Sequence, residues 1–256
     1  MNTIQHSQQP VVLVTGASRG IGQAIAECLA RQGGYALVLS ARSTEALEGL
    51  RQTLVQQYPL LRVAVFPCDV ALPQTPQALI QAVVAQFGRV DVLINNAGVG
   101  GKVGVLTEMP DEQLHAMVDL NLTAPMLLSK YALQAMLNQP RLANSGMGTI
   151  ININSIAGKT AFPFWSVYDA TKAGLKAFAE ALCEEQRSNG VRVIGIYPGA
   201  CDTAIWDTLD LAEDDSPDKT GFLRPTQVAE AVVFALQQPA GTLVSDITLM
   251  PTAPAV

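Results

Sequence analysis

Short runs of β-branched and leucine residues recur along the chain. Longer stretches, with apolar positions three and four residues apart, lie between them. The runs Val11–Val14, Leu37–Leu39, Val63–Phe66, Val92–Ile94, Ile150–Ile153, Val191–Ile196 and Leu243–Leu249 predict strands. The first six are apolar on both faces, as parallel strands sandwiched between helix layers are. Helical spacing marks segments near 20–32, 44–57, 74–87, 111–138, 167–188 and 225–238. Regular strand–helix alternation predicts an α/β fold, a doubly wound parallel sheet with right-handed crossovers and helices on both faces. No linker, low-complexity tract or second core interrupts the pattern, so one domain is expected over 1–256.

Two stretches depart from the rhythm. The polar loop 138–147 contains Gly and Pro. The segment 204–222 follows the sixth strand, includes an acidic run and is expected to form a lid. Ligands of open α/β sheets sit beyond the carboxyl ends of the strands, beneath such a segment.

Composition narrows the function classes. The chain is 49% hydrophobic and 15% charged, with a net charge of −6 and no basic run. Nucleic acid and anionic membrane surfaces are therefore not expected as partners. Cys28, Cys68, Cys183 and Cys201 lie far apart, and the only histidines are His6 and His115. Neither a disulfide framework nor a metal site is expected, and both histidines read as surface residues. Residues 1–9 lack the charged and apolar regions of a signal peptide, and no apolar stretch approaches a bilayer span. A cytoplasmic protein is expected.

The first strand runs into Thr15-Gly16-Ala17-Ser18-Arg19-Gly20-Ile21-Gly22 and then a helical pattern. Glycines there allow a tight turn and close approach to a pyrophosphate, which sits on free amides at the helix N-terminus. An acid at the end of strand two would hold the ribose hydroxyls of NAD. That place is Ala41, followed by Arg42. Arg42, Arg19 and the Ser18 hydroxyl form a set suited to a 2′-phosphate, so NADP(H) is the expected cofactor. Asp69, after strand three, either accepts a hydrogen bond from an adenine amino group or caps a turn. Asn95-Asn96-Ala97-Gly98 closes strand four, where asparagines can tie neighbouring strands and Ala-Gly leaves room for a cofactor.

Tyr168 and Lys172 are four apart and share one helix face. Ser155 lies at the end of strand five, and Asn121 falls in the preceding helical segment. With TGASRGIG at 15–22, the Asp69 turn, NNAG at 95–98, YDATK at 168–172 and Pro198-Gly199, the chain resembles the short-chain dehydrogenase/reductase family. The likeness spans nearly the whole chain, with the motifs in the family's order. It implies a seven-stranded sheet in the order 3-2-1-4-5-6-7 and a catalytic set of Asn121, Ser155, Tyr168 and Lys172. It also implies cofactor contacts at Gly16, Ile21, Gly22, Val70, Asn96, Ala97, Gly98, Pro198, Gly199 and Thr203.

The implied reaction is reduction of a small-molecule carbonyl, or its reverse, with Tyr168 as the acid. A phenol ionises near ~10, and the Lys172 ammonium is expected to lower that value. The resemblance also gives Lys172 the nicotinamide ribose, Ser155 the substrate oxygen and Asn121 a relay water. Pro125 supports that water, because it offers no N–H to the Asn121 carbonyl. Homodimers or homotetramers through the helices near 111–138 and 167–188 are implied too.

Two features depart from the family's commonest form. The 138–147 loop lengthens the path from Asn121 to Ser155. The C-terminal stretch reads Val244-Ser245-Asp246-Ile247-Thr248-Leu249-Met250-Pro251 where carrier-protein reductases often have Gly-Gly. Phe162, Phe164, Trp165, Ile205, Trp206 and Leu209 are expected to wall an apolar pocket. The alternatives are a 3-oxoacyl-carrier-protein reductase, an NADP(H)-sensing protein without turnover, and an isomerase or dehydratase that uses the dinucleotide transiently.

Overall fold

The computed structural model describes residues 9–101, 103–142, 146–206 and 219–252. Seven parallel strands form one sheet: β1 (Val11–Thr15), β2 (Ala36–Ala41), β3 (Val63–Pro67), β4 (Val92–Asn95), β5 (Gly148–Ile153), β6 (Val191–Pro198) and β7 (Asp246–Leu249). Their order is β3-β2-β1-β4-β5-β6-β7, the expected doubly wound arrangement. Val12 pairs with Leu37 on one side and Val92 on the other, which places β1 at the centre.

Alternation along β1 builds both cores. Val12 and Val14 face a layer of α1 (Gly20–Gln32), α2 (Thr44–Gln57) and α7 (Pro225–Gln237). Val11 and Leu13 face a layer of α3 (Thr75–Phe87), α5 (Ala124–Asn138) and α6 (Ser166–Gln186). Both faces are dry, so every residue of β1 is buried.

Two expectations need correction. The segment 111–138 is not one regular helix. It is α4 (Asp111–Val118), a π-helical turn over Asp119–Thr123, and then α5. Pro125 gives the Asn121 carbonyl no N–H, and the Ala124 N–H reaches five residues back to Asp119. The last strand starts at Asp246 rather than Leu243, with Gly195 N–H donating to Ser245 O beside its first residue. Leu243 stays 37% exposed, so its apolar character signals no strand there.

The start of the 138–147 loop is tied down. The Gln139 amide accepts from Val90 N–H and donates to Val90 O, beside a buried Arg89–Asp91 ion pair. Residues 143–145 of that loop, His6, Lys102, Leu209 and the stretch 207–218 of the expected lid lie outside the described residues. The two described flanks of the lid segment meet: Cys201 bridges to Leu223, and Trp206 stacks at 5.0 Å on Phe222. No helix among the described residues is long and apolar enough to cross a membrane.

Candidate active site

The strand order reverses between β1 and β4, and the loops leaving them are knitted together. The Thr15 hydroxyl donates to Ile94 O and accepts from the Asn96 and Ala97 amides. Asn96 Nδ2 donates to Thr15 O at 2.8 Å and to Gly16 O at 3.2 Å. Asn95 reaches the other way, donating to Asn152 on β5. Asn96 ties the strands through side chain–backbone bonds, as expected, whereas Asn95 does so through side chain–side chain bonds.

Glycine is needed where these loops touch. A Cβ on Gly22 would stand 2.3 Å from Gly16 O, and one on Gly16, at φ 64°, would stand 2.8 Å from Asn96 Nδ2. No side chain fits, and the first turn of α1 is drawn against the loop with its amides open.

A cleft of about 680 Å³ opens over that turn. Gly16, Ser18, Arg19, Ile21, Ala41, Arg42, Asp69, Val70, Asn96, Ala97, Gly98 and Thr203 all line it. Gly22 supports the loop from outside the lining, and Pro198 and Gly199 are not part of it. Arg19 and Arg42 are exposed at the mouth, and neither makes an ion pair among the described residues. The one carboxylate in the described lining is Asp69, whose Oδ1 accepts from Ala71 N–H and so caps its turn.

The other set of expected residues adjoins this cleft at Gly98. A Cβ there would come 3.1 Å from Asn121 Oδ1 and 3.9 Å from Lys172 Nζ. Asn121 is buried in the π turn. Its side chain accepts from Val99 N–H and donates to Val99 O, both at 2.9 Å, so it holds the β4 loop directly. Ser155, two residues past β5, caps a short 3-10 turn by accepting from Ala157 N–H. Lys172 is buried on α6, donates to Ile153 O at 3.2 Å and lies 5.7 Å from the Tyr168 ring centroid.

The electrostatics differ from expectation in one respect. The Tyr168 phenol is pushed up, not down. Burial is the main cause, the Ser155 hydroxyl opposes it, and the neighbouring Asp169 carboxylate adds to it. Burial also drives the Lys172 ammonium down to about 8. Lys172 is buried and Tyr168 half-buried, and desolvation disfavours the charged form of each, so the proton stays on the phenol.

Several positioning residues have roles that the sequence does not reveal, even where they fall inside a motif. Asn154 is buried, donates to Lys172 O and accepts from Ser155 N–H, so it links β5 to α6. Thr171 donates to Tyr168 O and shares Asn121 Nδ2. Asp169, in the first turn of α6, accepts from Phe162 N–H at 2.6 Å. Single polar residues beside a motif look like ordinary helix surface until the partner is placed.

Comparison with known proteins agrees with this architecture. A family model described as short chain dehydrogenase matches residues 10–214. An uncharacterized oxidoreductase of Staphylococcus aureus (strain MRSA252) is 34% identical over 243 residues, covering 94% of this chain and 96% of that protein. Among solved structures, an alcohol dehydrogenase from the archaeon Thermococcus sibiricus, complexed with 5-hydroxy-NADP, superposes with a TM-score of 0.81. It is 32% identical and covers 94% of this chain and 95% of its own. A single-substitution variant of actinorhodin polyketide ketoreductase with NADPH gives a TM-score of 0.82 at 30% identity, covering 96% of this chain and 97% of its own.

Proposed function

This chain belongs to the short-chain dehydrogenase family, and on that premise we propose that it is an NADP(H)-dependent carbonyl reductase acting on small, apolar ketones, aldehydes or diketones free in solution. The observation that carries the reading is the Tyr168 phenol. It stands within the influence of the Ser155 hydroxyl and is flanked by the buried Lys172, beside the glycine-loop cleft.

The cleft fits the dinucleotide on its own chemistry. Contacts too close for any Cβ bring open amides to its floor, and the Arg19 and Arg42 guanidiniums stand at its mouth beside Ala41. Open amides suit a pyrophosphate, and Arg19, Arg42 and Ser18 suit a 2′-phosphate. The relatives described with NADP or NADPH support the same cofactor.

Reduction adds a hydride to the carbonyl carbon, which the bound nicotinamide supplies, and a proton to its oxygen. Tyr168 donates that proton, which burial of the phenol keeps on its oxygen at neutral pH until a carbonyl is placed there. Ser155 donates to the carbonyl oxygen and steadies the charge that grows there. Lys172, near the balance of its two forms, holds the ribose and passes a proton back towards Tyr168. Asn121 keeps the β4 loop in register beside Lys172 and leaves its main-chain carbonyl for a relay water.

Phe162, Phe164 and Trp165 on one side, and Ile205 and Trp206 on the other, are the proposed pocket walls. The described flank of the lid segment ends in that aromatic cluster, with Trp165 and Trp206 ring centroids 6.2 Å apart. The reading includes a cytoplasmic enzyme, assembled as a dimer or tetramer through the α4–α5 and α6 faces. The purified protein, incubated with NADPH and a panel of free carbonyls, is expected to consume the reduced nicotinamide absorbance and yield alcohols. No consumption across the panel would leave an NADP(H)-binding protein without turnover.

A further inference from the structure

The segment between Ser155 and α6 holds a conformation that its own sequence does not favour. Among the described residues, Phe164 is the only non-glycine with a left-handed backbone, at φ 70°. A bulky side chain avoids that region. Phe164 is also 58% exposed, so burial of its own ring does not hold it there. Other contacts must.

Hydrogen bonds to the β4 loop and to α6, together with a ring contact to Tyr168, fix the segment. Gly104 N–H donates to Phe164 O at 3.1 Å and joins the β4 loop to it. Phe162 N–H donates to Asp169 Oδ2 at 2.6 Å. The Trp165 ring stands edge-on to Tyr168, with centroids 5.5 Å apart. A segment carrying Trp165 therefore borders any carbonyl placed on the phenol.

Asp169 is an expensive residue for this task. It is 7% exposed, and its second oxygen, Oδ1, has no hydrogen-bond partner among the described residues. A buried carboxylate with one bond per two oxygens costs stability. Its position explains its use. It sits in the first turn of α6, next to Tyr168, so one short side chain fixes the aromatic wall relative to the proton donor. Through the same helix turn, Asp169 N–H bonds Trp165 O at 2.8 Å, which closes a loop from 162 to 169.

We propose that Asp169 is a positioning residue that sets substrate specificity: by holding Phe162 N–H it keeps the Phe162–Trp165 wall against Tyr168 and so decides how bulky a substituent the carbonyl carries. The substrate class that fits a fixed aromatic wall is an aryl ketone or aryl diketone. The inference rests on the carbonyl-reductase reading.

The test compares wild type, Asp169→Asn and Asp169→Ala. Asparagine keeps an acceptor of the same reach, and alanine removes it. The first readout is the ratio of kcat/KM for an aryl diketone to that for a short aliphatic ketone. Loss of the Asp169 charge beside Tyr168 affects both substrates alike and cancels in that ratio. Alanine is expected to lower the ratio at least about fivefold, mainly through KM, while asparagine keeps it within about twofold. The second readout needs neither cofactor nor substrate. The chain has two tryptophans, Trp165 and Trp206, so a red-shifted emission in the alanine variant, absent in the asparagine variant, reports a released wall. The third uses wild type alone: the Phe162 amide should exchange with deuterium more slowly than its loop neighbours. An unchanged ratio and emission in Asp169→Ala overturns the inference. So does an unprotected Phe162 amide, which covers the case in which the alanine variant fails to fold. Wild type inert towards every carbonyl defeats the reductase reading instead, and the emission and exchange readouts still judge the tie.

Discussion

Both the amide nitrogen and the carbonyl oxygen of Val99 are held by one side chain, that of Asn121, at 2.9 Å each. A residue expected to serve only a relay water is thus also the clamp that seats the β4 loop beside Lys172. Asn121→Ala leaves both Val99 groups without that partner. It is expected to cost about 1–3 kcal/mol of stability, or a melting point lower by roughly 2–4 °C per kcal/mol. Turnover should fall with it. Calorimetry and initial rates check this, and a variant with wild-type melting would show that Val99 is held by other means.

Tyr168→Phe removes the proton donor and little else. Turnover is expected to fall by roughly 10²–10⁴, the usual worth of a positioned acid. NADPH affinity should stay within a small factor of wild type, because the ring and its packing against Trp165 remain. Titration of tryptophan emission with NADPH measures binding apart from turnover. If the variant keeps more than about a tenth of wild-type kcat, another group supplies the proton.

How much of this is legible in the sequence follows from where each signal lives. Six strands are readable because each is apolar on both faces. β7 is less so, because an edge strand with exposed Asp246 and Thr248 resembles the loop before it. The glycine loop, Ser155, Tyr168 and Lys172 are readable as motifs with spacing. The π turn is half readable: Pro125 announces a lost bond, but not that Ala124 moves to Asp119. The roles of Thr15 and Asn154 are illegible, since their partners 82 and 18 residues away come together only when the sheet is assembled, and Thr171 and Asp169 sit in the YDATK motif without showing which backbone groups they hold. The raised Tyr168 is illegible for a related reason. Spacing places a cation near the phenol, but only packing reveals that Lys172 is buried and Tyr168 half-buried.

Lys172 makes a signed prediction for stability against pH. Its folded value, about 8, lies below the ordinary 10.5. Between those values the unfolded chain binds more protons, so this group makes stability rise with pH. The burial penalty is fully present below about pH 8 and fades towards pH 10.5. Lys172→Met lacks the effect. The wild type is therefore expected to gain on the methionine variant by up to about 1–2 kcal/mol between pH 7 and pH 9.5, at about 1.4 kcal/mol per pH unit once above the folded value. Parallel denaturant titrations without cofactor read the difference. A gap that stays constant with pH would mean that Lys172 is not desolvated.

Cofactor preference depends on Arg19 and Arg42 at the mouth of the cleft. The expected preference for NADPH over NADH is at least about tenfold in kcat/KM, or about 1.4 kcal/mol, modest for two charge-assisted contacts. Ala41→Asp with Arg42→Leu adds an acceptor for a free ribose hydroxyl and removes a cation, so the order should reverse. Equal use of both cofactors by wild type would remove the arginines from the 2′-phosphate.

Substrate choice is the finest prediction, and two features argue for it. The first is the aromatic run Tyr168, Trp165, Trp206 and Phe222, whose successive ring centroids lie 5.5, 6.2 and 5.0 Å apart. Apolar walls with a few placed polar groups suit a small carbonyl free in solution. The second is charge. From Asp202 to Lys219 the chain carries seven acidic residues against one lysine. That lysine is already engaged with Asp202 at 3.7 Å. An acidic carrier protein would meet like charge from this part of the chain, and its association would be slowed most at low salt. An aryl diketone, a simple aryl ketone and a β-ketoacyl thioester on its carrier should be assayed side by side at low and moderate salt. The free carbonyls are expected to turn over faster at both, and the carrier-bound substrate should gain as salt screens the acidic segment. A carrier-bound substrate that outruns the free carbonyls at low salt would sink this assignment. The active site would then belong to acyl-chain reduction.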